Sequence, residues 1–356
     1  MRPIQIREAL NVAVAKQRPV FVWGPPGVGK SDLIAQVAAA GDMQLVDVRL
    51  NLLDPTDVKG FPVPDVAAGN MQWLPANFFP PMFVEQEVEI KPAKGKTAAV
   101  TELQTVPNPS RGILFLDELN QAPSTVQAAA YQLLLTRQVG DYKLPDGWAI
   151  LAAGNRETDR ANAIKMPSAL ALRLIHLDYD VNADDWCEWA LGQGDAVPTE
   201  LLAFIRFRPD LLHAFDPAQR SSPNPRGWVF CGELINSDLS AEVEFEMLKG
   251  TVGEAAAGEF KAFLQVFRDL PSIDQIKLDP DGTPLPETAA VFFAITAALA
   301  SASTKDVFPR FMKYVGRMDP EWQVVYVRDA QKRTNRAITE TKEYMQFAIK
   351  HSSLLS

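Results

Sequence analysis

The sequence predicts an α/β fold, a parallel sheet layered between helices, followed by an all-helical remainder. Three observations predict it. Over residues 1–180, short apolar runs of strand length alternate with helical patterns. One of those runs leads directly into Gly24-Pro25-Pro26-Gly27-Val28-Gly29-Lys30-Ser31, which fits the phosphate-binding pattern G-x-x-x-x-G-K-[ST]. From Trp186 onward, apolar residues recur at helical spacing.

The elements follow in order. Pro19 to Trp23 is an apolar run that reads as a buried strand. Ser31 to Ala40 reads as a helix with Leu33, Ile34, Val37 and Ala38 on one face. Between them, glycines let backbone N–H groups turn inward around a phosphate, and the helix N-terminus favours the anion. Lys30 can reach the outer phosphates, and the Ser31 hydroxyl can hold Mg²⁺. Gly24, Pro25, Pro26, Gly27, Val28, Gly29, Lys30, Ser31 and Asp32 are therefore the expected nucleotide-binding residues.

Ile113 to Leu116 is a second apolar strand, ending in Asp117-Glu118. Beside a phosphate loop, the first carboxylate can orient the metal shell with Ser31. The second can polarise an attacking water. Gln121 to Thr136 reads as the following helix. Ala149 to Gly154 is a further buried strand that ends at Asn155. Adjacent to the loop strand, the Asn155 amide would lie near the γ-phosphate; otherwise it is a turn asparagine. Arg173 precedes the strand Leu174–Leu177, and Arg226 stands at a helix start after Pro225. An arginine facing the γ-phosphate can stabilise transition-state charge, and each is otherwise an ordinary surface residue.

This order of motifs resembles the AAA+ ATPases, and within them the MoxR-like group and its dynein/midasin and McrB relatives, over about residues 1–240. The resemblance implies a three-layer αβα core with ATP and Mg²⁺ as cofactors, and Ser31 and Asp117 at the metal. It also implies an all-α lid at about 181–237 and a helical C-terminal extension at 238–356. Lys30 and Ser31 correspond to Walker A, Asp117 and Glu118 to Walker B, and Asn155 to sensor 1. Arg173 corresponds to an arginine finger acting on a neighbouring subunit, with Arg160 and Arg137 as competitors, and Arg226 to sensor 2. The expected catalytic residues are thus Glu118, Asn155, Arg173 and Arg226. The expected assembly is a ring, with a hexamer as the favoured size, that remodels a protein partner such as a von Willebrand factor A domain protein.

Two hairpin insertions are expected, at about 59–110 and 138–147. Gly140-Asp141 and Asp146-Gly147 are turn dipeptides around short β-type runs, and Phe61 to Pro64 with Met71 to Leu74 flank Ala68-Gly69-Asn70. Pro80 to Pro109 reads as a mobile loop, a disordered spacer or an extra hairpin, with a turn at Lys94-Gly95-Lys96-Thr97. Phe61, after Lys59-Gly60, either grips a polypeptide in a pore or packs.

The bulk composition narrows the classes. The chain has 356 residues and a net charge of −9, which opposes non-specific nucleic-acid binding. The segment 301–356 is locally basic, so a nucleic-acid motor or loader is one rival reading, with Phe308, Phe311, Tyr314, Trp322 and Tyr326 either stacking bases or filling a helical core. A McrB-type GTPase is the other. Cys187 and Cys231 are far apart and are expected as buried thiols. The longest apolar stretch, about 289–300, is too short to span a bilayer. No leader pattern is visible, so no membrane association is expected and the expected location is the cytoplasm.

Overall fold

The computed structural model describes residues 1–67, 69–91, 100–159, 166–216, 218–235 and 237–351. The chain divides into two units, Met1–Asp180 and Val181–Ser356.

In the first unit, helix α1 (Pro3–Ala15) precedes strand β1 (Val20–Trp23) and helix α2 (Lys30–Ala40). Strand β2 (Gln44–Arg49) and the short α3 (Pro55–Lys59) follow. Two antiparallel hairpins come next, β3 (Phe61–Asp65) with β4 (Asn70–Leu74), and β5 (Phe83–Lys91) with β6 (Val100–Pro107). After them come β7 (Gly112–Asp117), α4 (Ser124–Thr136), the two-rung hairpin β8 (Gln138–Val139) and β9 (Tyr142–Lys143), β10 (Trp148–Gly154), α5 (Ser168–Ala171) and β11 (Ile175–Asp178).

The five-stranded sheet runs β11-β1-β10-β7-β2, every pair parallel. Every residue of β7 and β10 is buried. A strand covered on both faces has no polar side to show, so it reads as an unbroken apolar run. β2, at the sheet edge, carries Gln44, Asp47 and Arg49 instead.

The insertions are pinned at their bases. Tyr142 is buried, donates its hydroxyl proton to the Pro80 carbonyl at 2.9 Å and stacks on Phe79 at 4.6 Å. The Asp141 carboxylate accepts the Trp73 N–H at 2.9 Å, joining the β8–β9 turn to β4. The segment from Pro80 to Pro109 is thus largely a long hairpin, neither a spacer nor a loop; the Lys94–Thr97 turn lies outside the described residues. Phe61 is 62% exposed, so its ring does not pack in its own chain's core.

The second unit is helical: α6 (Ala183–Leu191), α7 (Thr199–Phe207), α8 (Pro225–Ile235), α9 (Ala241–Val252), α10 (Glu254–Arg268), α11 (Ile273–Leu278), α12 (Ala289–Ser301), α13 (Phe308–Val315), α14 (Pro320–Arg333) and α15 (Lys342–Lys350). One core cluster draws on α6, α7, α8, α9, α10 and α12, so residues assigned to a lid and to an extension share one interior. Phe204, Trp228 and Phe260 are at its centre, with ring centroids 4.9–5.5 Å apart. A second cluster holds Phe308, Phe311, Tyr314 and Tyr326, all fully buried, and Trp322 stacks on Phe292 at 4.9 Å. These rings fill a core, which overturns the base-stacking alternative: a buried ring offers no face to a nucleotide. Both cysteines are buried and free. Among the described residues no helix is long and apolar enough to cross a membrane.

Candidate functional site

The chain folds its phosphate loop between β1 and α2. Gly27 and Gly29 take φ of +76° and +94°, the left-handed backbone that favours glycine and that turns successive N–H groups to one side. Helix α2 starts at Lys30, so the loop ends on a helix N-terminus. Asp32 lies in its first turn, where negative charge suits the helix dipole.

Because all five strands are parallel, the ends of β1, β7 and β10 that carry polar residues fall on one edge of the sheet. The Lys30 ammonium is buried there. It donates to the Gly24 carbonyl at 2.7 Å, the Pro25 carbonyl at 2.9 Å and the Asn155 Oδ1 at 2.9 Å. The Ser31 hydroxyl donates to Asp117 Oδ2 at 2.9 Å. Asp117 Oδ1 accepts the N–H of Glu118, also at 2.9 Å. Asn155 therefore comes directly after the strand next to the loop strand, and its amide meets the loop lysine.

A hydroxyl and a carboxylate meeting in this way are hard oxygen donors of the kind Mg²⁺ accepts. Mg²⁺ beside phosphates takes one or two protein oxygens and fills the rest of its shell with water and phosphate. Ser31 and Asp117 fit that requirement. No cluster of three metal-binding side chains exists among the described residues. Asp47, on β2, adds charge near Asp117. Burial, and then the Asp117 charge, hold its carboxyl above the usual range, with Arg49 opposing.

Glu118 stands just past β7 in a left-handed conformation, φ +55°. That turn starts a short 3₁₀ segment, Leu119–Gln121, which drives Asn120 inward. The Asn120 amide nitrogen donates to the Asn155 carbonyl at 2.7 Å, and only 1% of the residue is exposed. Sequence reading missed Asn120. The only local signal is an amide side chain three residues past a strand end, and its burial depends on a turn that no residue pattern announces.

The arginines separate. Arg173 is exposed, just ahead of β11, and donates Nη1 to the Ala169 carbonyl at 2.8 Å. Ile175 pairs with Val20 at the start of β1, whereas the phosphate loop follows Trp23 at its end. Arg173 is thus on the opposite edge of the sheet from its own chain's loop, about 13 Å of strand away at ~3.3 Å per residue. Arg137 makes bonds within its own segment. It caps α4 with φ +58° and donates Nη2 to the carbonyls of Pro145 and Trp148 at 2.9 and 2.7 Å, in a setting whose burial pulls its pKa down. Arg160 lies outside the described residues. Arg226 is exposed at the second position of α8, in the other unit. The helix start there is fixed by Asn224, whose Oδ1 accepts the Gly227 N–H at 2.9 Å.

No family profile matches the chain. A curated relative, midasin from Giardia intestinalis, is 27% identical over 214 residues, 57% of this chain. The chain spans 4% of that relative's length. The chain resembles the AAA+ ATPases. Solved structures that overlay on it include a candidate ATPase from Cytophaga hutchinsonii (16% identity, 99% of this chain and 87% of that one, TM-score 0.32). NtrX from Brucella abortus overlays with 14% identity over 92% of this chain and 67% of that one, TM-score 0.40. The RuvB Holliday junction branch migration motor of Thermotoga maritima overlays with 16% identity over 84% and 79%, TM-score 0.36. Overlays this loose carry no argument; the AAA+ likeness rests on the motif order, the sheet and the convergence at Lys30.

Proposed function

We propose that the chain is an ATP hydrolase of the MoxR-like AAA+ type, working as a ring, with six subunits as the expected number, to remodel or activate a protein partner. The observation that carries the hydrolase reading is the meeting of Lys30 with Asn155 and of Ser31 with Asp117 at one sheet edge. Lys30 and the loop N–H groups hold the phosphates. Asn155 orients the γ-phosphate end and the attacking water, and Glu118 takes the proton of that water. Ser31 and Asp117 hold Mg²⁺, which when bound supplies neutralisation of phosphate charge.

Ring formation is supported by the position of Arg173. An exposed arginine on the far edge of the sheet cannot serve its own site, and it is free to serve a neighbour's across a head-to-tail interface. Arg226 has the sensor 2 role in this reading. A von Willebrand factor A domain protein is the partner that the MoxR likeness favours.

The test uses Glu118→Gln and Arg173→Ala. Each is expected to lower steady-state ATP turnover by at least about 100-fold while nucleotide still binds. Mixed in equal amounts, the two form sites in which one chain supplies Glu118 and its neighbour supplies Arg173, about one interface in four in a random ring. Turnover should then recover to about a quarter of wild type. Wild-type turnover by Glu118→Gln sinks the hydrolytic assignment. Inactivity of the mixture, with rings seen in particle images, sinks the trans role of Arg173. Pull-down with the Glu118→Gln protein and ATP tests the partner, and recovery of no protein refutes remodelling.

A further inference from the structure

We infer that Asn120 is a positioning residue for hydrolysis, which aims Asn155 by holding its peptide carbonyl; this rests on the hydrolase reading above. Three features meet at this side chain. Its amide nitrogen donates to the Asn155 carbonyl at 2.7 Å. Its Oδ1 is buried and accepts no hydrogen bond. The backbone it touches is stripped of side chain: a Cβ on Gly154 would stand 1.9 Å from Asn120 Oδ1 and 2.6 Å from Phe21 Cζ of β1.

The orphaned oxygen is the informative part. An acceptor buried without a partner loses its bonds to water and gains none in return, and native chains keep few of them. Rotating the amide does not relieve it, because Oδ1 would then face the Asn155 carbonyl, oxygen against oxygen. A fold that needed only to fill this space would do so with an apolar side chain. Asparagine is kept here for its donor, and the donor reaches Asn155, whose side chain bonds the loop lysine.

A continuous route follows. Glu118 sits in the strained left-handed turn, and Asn120 is two residues further along the same turn. Asn120 holds the Asn155 backbone, and the Asn155 Oδ1 accepts from Lys30 Nζ. Gly154 is clamped between Asn120 and Phe21, so the ends of β1, β7 and β10 are fixed against one another. Displacing the Glu118 turn therefore displaces the amide that faces the γ-phosphate. Asn120 does not touch the phosphate; it acts through Asn155.

The experiment is a double-mutant cycle on the full chain, with Asn120→Ala, Asn155→Ala and the pair. ATP turnover, binding of a fluorescent ATP analogue and the urea midpoint are read for each. Asn120→Ala should lower kcat at least 10-fold with analogue affinity within about threefold. Adding Asn155→Ala should then lower kcat by less than about threefold, because residues acting as one unit are not additive. A residue with a purely structural role would lower the urea midpoint and leave the two effects multiplicative. Asn120→Leu, which keeps the volume, repeats the cycle if the alanine variant does not fold.

The inference is overturned if a folded Asn120 variant turns over within twofold of wild type. It is also overturned if the Asn120 and Asn155 effects multiply, or if neither Asn120 variant folds. Absence of turnover in the wild type removes the hydrolase reading, and this inference with it. Turnover in wild type with an active Asn120→Ala removes this inference alone.

Discussion

Replacing Asp329 by asparagine should destabilise the helical unit by about 3 kcal/mol, the lower end of the range for breaking a buried ion pair. Asp329 on α14 is 2% exposed and meets Arg206 of α7, whose side chain is 18% exposed. Arg206 Nη2 donates to Oδ1 at 2.7 Å, and Nη1 donates to Oδ2. Burial alone would pull the guanidinium pKa down, but the bonds and charge of Asp329 outweigh it and raise it. Asparagine keeps the shape and one acceptor, and strips the charge that balances a buried cation. For a unit of this size the expected fall in Tm is about 6–12 °C, at ~2–4 °C per kcal/mol. Urea unfolding followed by tryptophan fluorescence reads it, with Trp186, Trp189, Trp228 and Trp322 reporting the helical unit. The double variant Arg206→Met with Asp329→Leu should recover most of the loss, since well-packed apolar replacements of a buried pair are often neutral or stabilising. A single variant within 0.5 kcal/mol of wild type, or a double no better than the single, refutes the reasoning.

Two further outcomes are expected. Burial pushes both cysteine thiols up from 9.0 to about 12, so neither should be alkylated by iodoacetamide at pH 8 in the folded protein, and both should be in urea. Linkage fixes the sign: folded thiols hold their protons where unfolded ones lose them, so stability present below the unfolded pKa should fall as pH rises toward 12. That decline shows in urea midpoints measured from pH 8 to 10, and a flat profile with rapid native labelling contradicts the burial. Phe61→Ala should change stability by less than about 0.5 kcal/mol, because the ring packs on little; a loss above about 1 kcal/mol in the same urea assay shows that the ring is buried after all.

The parallel core was legible because its strands are covered on both faces, so β7 and β10 appear as Ile113–Leu116 and Ala149–Gly154 with nothing polar inside them. The hairpins were legible where turn chemistry marked them, at Gly140-Asp141, and less so at Phe83–Pro107. There the alternating charges of the strand suit a loop and an exposed hairpin equally. In the helical half, the break between α9 and α10 comes at Gly253, whose φ of +86° ends one helix and begins the next. Apolar periodicity runs through that point almost without interruption, so the pattern alone did not locate the break.

The site divides on a different line. Candidates defined by chemical type at a fixed distance from a motif, Lys30, Ser31, Asp117 and Asn155, were nameable from the sequence, and hydrogen bonds join Lys30 to Asn155 and Ser31 to Asp117. Residues whose role depends on where the backbone aims them were not. Arg137 has the right chemistry for a neighbour's phosphate and spends both bonds from one nitrogen on its own hairpin. Asn120 has unremarkable chemistry, and a left-handed Glu118 turns it inward onto the Asn155 carbonyl. Arginine identity was the stronger sequence signal and asparagine position the stronger physical one. The difference follows from geometry: Arg137 turns its Nη2 inward onto two backbone carbonyls, whereas the buried Asn120 amide makes one bond, to the Asn155 carbonyl, and leaves its oxygen without one.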